Sequence, residues 1–107
     1  MELAADCYEL TRTFAREEAF GMTAQIRRAG ASIPANIAEG YGRDSTGHYV
    51  QFLRTAQGSL KELETHLLLA TRVGLAEEPR TRPILDRADT VGRMLRALAE
   101  SVQKSRT

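Results

Sequence analysis

A second cysteine is missing from this chain of 107 residues, so no disulfide can staple it, and the one cysteine present, Cys7, falls on an apolar stripe where it reads as a small buried hydrophobe. Long apolar runs are missing as well. The longest, Leu67 to Ala70, is far short of the roughly 20 residues that cross a bilayer, and no charged-then-apolar leader opens the chain. The expectation is a cytoplasmic protein without membrane contact. An excess of one sign of charge is also missing. Fifteen basic residues stand against 14 acidic ones, a formal net charge of +1, which excludes the strong overall positive field of a dedicated nucleic-acid binder and leaves only local gathering of arginines. Ligand and catalytic constellations are absent too. His48 and His66 have no second cysteine or carboxylate-histidine pair at ligand spacing, and Glu62 to His66 has the wrong interval for a di-iron bundle. The Gly40-Tyr41-Gly42 stretch lacks the rest of any nucleotide fingerprint and reads as a turn between helices. No enzyme, metal or cofactor is expected.

What is present is ordinary globular composition, 42% hydrophobic and 27% charged, in one domain spanning residues 1–107. Four segments carry helical periodicity. The first, Glu2 to Arg16, aligns Leu3, Cys7, Leu10 and Phe14 on one face. The third, Thr46 to Val73, has the seam Tyr49, Leu53, Ala56, Leu60, Leu63, Leu67 and Ala70 in alternating steps of four and three, predicting a rod of roughly 40 Å. Asp44-Ser45 offers caps at its start and Gly74 a left-handed stop at its end. Pro79 and Pro83 bracket the connection to a fourth helix and its first turn, and that helix's seam is Leu85 or Ile84, then Ala88, Val91, Leu95, Leu98 and Val102. Lys104 to Thr107 are expected to fray. The fold class is all-α: an antiparallel up-down four-helix bundle with axes crossing at about 20°.

The second segment, Met22 to Arg43, carries two apolar stripes. Met22, Ile26, Ala29, Ile33 and Ile37 read as the face turned to the subunit's own core. On the opposite side lie Ala24, Ala31, Ala35 and Ala38, with Arg28 among them, and so much alanine beside so few charges reads as a contact between chains. A homo-oligomer is therefore expected, with Arg28 paired to Glu39, Glu62 or Glu64 near that contact. Pro34 removes one helical hydrogen bond, and Gly30 four residues back eases a bend, so a Pro-kinked helix is expected, with Ser32 or Asn36 helping to satisfy the freed carbonyl. The other outcome is two short helices.

Two blocks, QIRRAGASIPANIAEGYGR (Gln25 to Arg43) and QFLRTAQGSLKELETHLLLATRVG (Gln51 to Gly74), resemble the signature blocks of the small four-helix-bundle proteins associated with intervening sequences of large-subunit ribosomal RNA genes. That family includes the Avd accessory proteins of diversity-generating retroelements. The resemblance implies a ring-like homopentamer, nucleic-acid binding as in the Avd branch, and in that setting a reverse transcriptase as partner beside its RNA template. Two departures stand out: the first helix starts a turn or two later than in relatives, and the charge is more nearly balanced.

Candidate contacts to nucleic acid follow from helical geometry. Arg54, Lys61 and Arg72, separated by seven and eleven residues, return to nearly the same azimuth and draw a basic line along the third helix. Arg27 and Arg43 are further candidates, whereas on the fourth helix Asp89 with Arg93 and Arg96 with Glu100 are spaced to neutralise one another. The alternatives are a solvated face along the third helix and structural roles for Arg27 and Arg43. The functional expectation is a non-enzymatic, oligomeric accessory factor that binds RNA or DNA. The alternative is a protein-protein interaction scaffold with no nucleic-acid role.

Overall fold

In the computed structural model, which describes residues 1–18 and 21–105, four α-helices follow one another: α1 (Glu2–Thr11), α2 (Met22–Tyr41), α3 (Thr46–Arg72) and α4 (Glu78–Lys104). A single 3-10 turn at Arg16–Glu18 lies between α1 and α2, and the described residues contain no strand. Each helix packs on the next and α4 closes back on α1, so the four form a cycle of neighbours. Residue order runs in opposite senses in the α2–α3 and α3–α4 pairs. Ser32 meets Ser59 while Gly40 meets Phe52, and Thr71 meets Thr81 while Arg54 meets Gln103. The long third and fourth helices give the molecule its 49 × 23 × 18 Å extents.

The α3 seam is the spine of the core. Leu53, Leu60, Leu63 and Leu67 are buried with Ala56 and Ala70, and Ile26, Ala29 and Ile33 of α2 and Leu3, Cys7 and Leu10 of α1 close over them. Burying a leucine or isoleucine contributes about 1.5–3 kcal/mol each, which is why the four-three spacing outweighs weak local propensities. Ser45 caps α3 by accepting from the amides of Gly47 at 3.1 Å and His48 at 3.3 Å. At the other end Gly74, at φ +85°, allows a Schellman turn in which the Leu75 amide reaches the Ala70 carbonyl at 2.9 Å and the Gly74 amide reaches Thr71 at 3.2 Å.

Three expectations about the helices need correction. Helix α1 ends at Thr11 and not at Arg16: past it the Thr13 hydroxyl donates to the Leu10 carbonyl at 3.1 Å and the Phe14 amide to the Thr11 carbonyl at 3.0 Å, where backbone amides four residues on would continue the helix. Phe14 still reaches the core, from the turn that follows. Pro83 sits inside α4, beyond its first turn, and Pro79 near the N-terminus. Both prolines are exposed, so solvent can serve the carbonyl that Pro83 leaves without a donor. The α4 seam resolves to Ile84, Ala88, Leu95 and Ala99, leaving Leu98 at 36% exposure. The reason is length: α1 has 10 residues against 27 in α4, so it covers only part of the α2–α4 cleft. Beyond Leu3 that cleft stays open as an apolar groove of about 780 Å³ floored by Ile33, Ile37, Leu95 and Leu98.

Helix α2 is one element with Pro34 inside it, so the two-helix alternative does not hold. The Asn36 amide donates to the Ser32 carbonyl at 2.8 Å within α2, and the Ser32 hydroxyl lies 2.8 Å from that of Ser59, linking α2 to α3, so neither side chain is bonded to the Gly30 carbonyl. Gly30 has a packing role: a Cβ there would lie 3.1 Å from the Cys7 thiol.

Candidate nucleic-acid interface

The α3–α4 contact brings cations together in a way that α3 alone does not. At Gly92 the two helices approach so closely that an added Cβ would meet Leu60 Cδ2 at 3.0 Å. Immediately beyond this point α4 carries Arg93 and Arg96, and across from them α3 carries Arg54 and Lys61. These four cations, with Glu64 and Asp89, line one open groove of about 340 Å³. Four positive charges against two carboxylates leave an excess of two, in a chain whose total is only +1.

The groove's ion pairs are local, and only Glu64 among their members is half-buried. Lys61 lies 3.3 Å from Glu64 and Arg93 lies 3.4 Å from Asp89, each within its own helix. Such pairs are worth about 0–1 kcal/mol, so they hold the groove's cations only weakly. Arg54 is steadied by Gln57 at 3.0 Å and by Gln103 of α4 at 3.4 Å, both neutral partners that leave its charge uncompensated. Arg96 and Glu100 form no ion pair, against the expectation from their spacing. Arg93 and Arg96 are thus members of the site that helix-by-helix reading assigned to a self-neutralising face. Their signal was the register between α3 and α4, which no single-helix period contains.

The remaining candidates fall elsewhere. Arg72 continues the azimuth of Arg54 and Lys61 but lines a separate groove of about 480 Å³ beside Leu68, Arg82 and Leu85. Arg27 is committed to the α1–α2 contact: its Nε donates to the Thr11 hydroxyl at 2.7 Å and its guanidinium sits 4.7 Å from the Tyr8 ring centroid. Arg43, after the end of α2, pairs with Glu39 at 3.1 Å and covers the Phe52 ring at 5.1 Å. Arg28 is exposed, hydrogen-bonds Gln25 and reaches Glu62 of α3 at 4.0 Å, one of its three expected partners. Around it Ala31, Ala35 and Ala38 are exposed on the subunit and Ala24 is half-buried.

No helix among the described residues is long and apolar enough to cross a membrane. The profile of the 23S rRNA-intervening sequence proteins matches residues 1–97. The chain belongs to that family. It is also similar to the crystal structure of a protein of unknown function from the S23 ribosomal protein family of Bacteroides thetaiotaomicron, at 25% identity over 92% of each chain and with a TM-score of 0.82. Among curated proteins, none matches. The family match accords with the two blocks that carried the sequence resemblance, and both blocks now have structural roles. The first supplies α2, with its tight seats at Gly30 and Gly40, and the second supplies most of α3 and its Schellman stop.

Proposed function

We propose that this member of the family is a non-enzymatic accessory factor that binds nucleic acid as a cytoplasmic homo-oligomer. The observation that carries the reading is the convergence of Arg54, Lys61, Arg93 and Arg96 in one groove while the rest of the chain is nearly neutral. A groove of this kind binds phosphates through charge and counterion release, weakly per subunit and strongly when several copies engage one strand. The opposed residue order of neighbouring helices supports an up-down bundle, and the exposed alanines of α2 support assembly of such bundles into a ring, for which the resemblance gives five copies. Arg72, Arg27 and Arg43 are auxiliary at most in this reading, since they lie outside the groove. The deciding measurement is retention of RNA and DNA at about 50 mM salt and again at about 200 mM. Binding at the lower concentration that weakens steeply at the higher one is expected, and no retention of either nucleic acid overturns the reading.

One observation favours a second reading, a protein-binding scaffold. The apolar groove beside α1 exposes Met94 at 65% and Leu98 at 36%, a larger opening than isolated surface leucines explain. A pull-down that returns a protein and no nucleic acid would favour it.

A further inference from the structure

We infer that the α3–α4 groove takes the phosphate backbone of a double helix in preference to that of a single strand, an inference that rests on the nucleic-acid reading above. The first support is where the aromatic residues fall. All six, Tyr8, Phe14, Phe20, Tyr41, Tyr49 and Phe52, come at or before position 52, so α4 and all of α3 from Leu53 onward have no ring to offer. Proteins that hold single strands draw about 1–3 kcal/mol per base from stacking on aromatic side chains. The two rings of α3 are turned to other uses: Tyr49 meets Tyr41 edge-on at 6.1 Å between centroids, and Phe52 lies under Arg43 and against Gly40. A single strand in this groove would therefore gain charge contacts and at most arginine stacking, without an aromatic platform for its bases.

The second support is charge density. Arg54 and Lys61 are two helical turns apart, a rise of about 10 Å. Over that distance a duplex presents about six phosphates and a single strand about three. Four cations on two helices thus lie along about twice the charge per length on a duplex that they would meet on a single strand. Between the cations the groove is lined by Leu60, Ala88 and Gly92, which offer no side-chain donor or acceptor to a base edge, and Gln57 is engaged by Arg54, so the contacts fall chiefly on the backbone.

The test is fluorescence anisotropy of the full chain with a DNA duplex of about 20 base pairs, an RNA duplex of the same sequence, and the corresponding single strands, titrated with salt from about 50 mM. Each duplex is expected to bind at least about tenfold more tightly than its own strands. The double variant Arg54→Gln, Arg96→Gln is expected to lower the salt slope on duplex by about two. Both residues are exposed, and a helical circular dichroism spectrum confirms that the variant is folded. The DNA and RNA arms assign the source of the backbone, and either duplex ahead of its strands supports the inference. Single strands binding as tightly as duplexes overturn the duplex preference and leave the nucleic-acid reading standing. A duplex slope unchanged in the folded variant overturns the groove as the site. Binding to none of the four probes overturns both readings.

Discussion

Gly40 and Phe52 stand so close that a methyl group on Gly40 would lie 2.6 Å from the Phe52 Cβ, a separation real side chains do not tolerate. Because the Phe52 Cβ is fixed to the α3 backbone, relief requires the helices to part. Gly40→Ala would gain up to about 1 kcal/mol of helix propensity, but the overpacking costs about 1–3 kcal/mol. The variant is therefore expected to be less stable than the parent, as read by the urea midpoint. An unchanged or raised midpoint would show that α2 and α3 do not pack in this register.

Gly58 supplies the opposite case in the same pair of helices. It lies in the interior of α3, is exposed, and a Cβ there would meet nothing within 4 Å. Gly58→Ala is expected to raise stability by about 0.5–1 kcal/mol through backbone entropy alone. Comparing the two variants separates packing from propensity, since both make the same chemical change inside a helix.

The long helices were legible because their signals are local and repeated. The α3 seam, the Ser45 cap and the Gly74 stop each need only a few neighbouring residues, and each took the expected place. The end of α1 was not legible, because the Thr13 hydroxyl takes the Leu10 carbonyl while the apolar period runs on to Phe14. Thr81 was missed for a related reason. It is fully buried at a position where polarity suggests solvent, and it is satisfied by the Thr71 hydroxyl at 3.0 Å and the Glu78 carbonyl at 3.3 Å. The groove was half legible. Arg54 and Lys61 share an azimuth on one helix, but Arg93 and Arg96 join them only through the close approach at Gly92, and Arg72 leaves them because the groove does not run the length of α3.

Cys7 gives a prediction in pH. Its thiol is fully buried between α1 and α2, and burial, with a smaller contribution from the Asp6 charge, pushes its pKa from the ordinary 9.0 up to about 12. The folded chain thus keeps a proton that the unfolded chain releases. Its stabilising share is complete below pH 9 and is lost as pH rises from 9 towards 12, to a limit of about 4 kcal/mol. The stability of the parent relative to Cys7→Ala is expected to decline across that window. A difference between the two that stays flat in pH would mean that the thiol is not buried. Iodoacetamide near neutral pH should label the folded protein far more slowly than the urea-unfolded one.

The alanine face of α2 gives a prediction about assembly. Ala31 and Ala35 are exposed on the subunit and lie on the side of α2 opposite Ile26 and Ile33, so a larger side chain at either position does not disturb the core. Ala31→Leu or Ala35→Leu should therefore leave thermal unfolding of the isolated subunit nearly unchanged, within the about 0.5 kcal/mol usual for surface substitutions. If copies meet through this face, however, the added bulk holds the helices apart and the assembly falls to smaller species. Light scattering on parent and variants reads this directly, and circular dichroism confirms that the variants remain helical. Loss of mass with retained helix is the expected result. A parent assembly whose mass survives both substitutions would place the contact on another surface, and the open groove lined by Met94 and Leu98 would be the next to probe by Met94→Glu. The same samples connect assembly to binding. If several weak grooves act together, the variants that lose mass should also lose most of their affinity for long duplexes, although Arg54, Lys61, Arg93 and Arg96 are untouched.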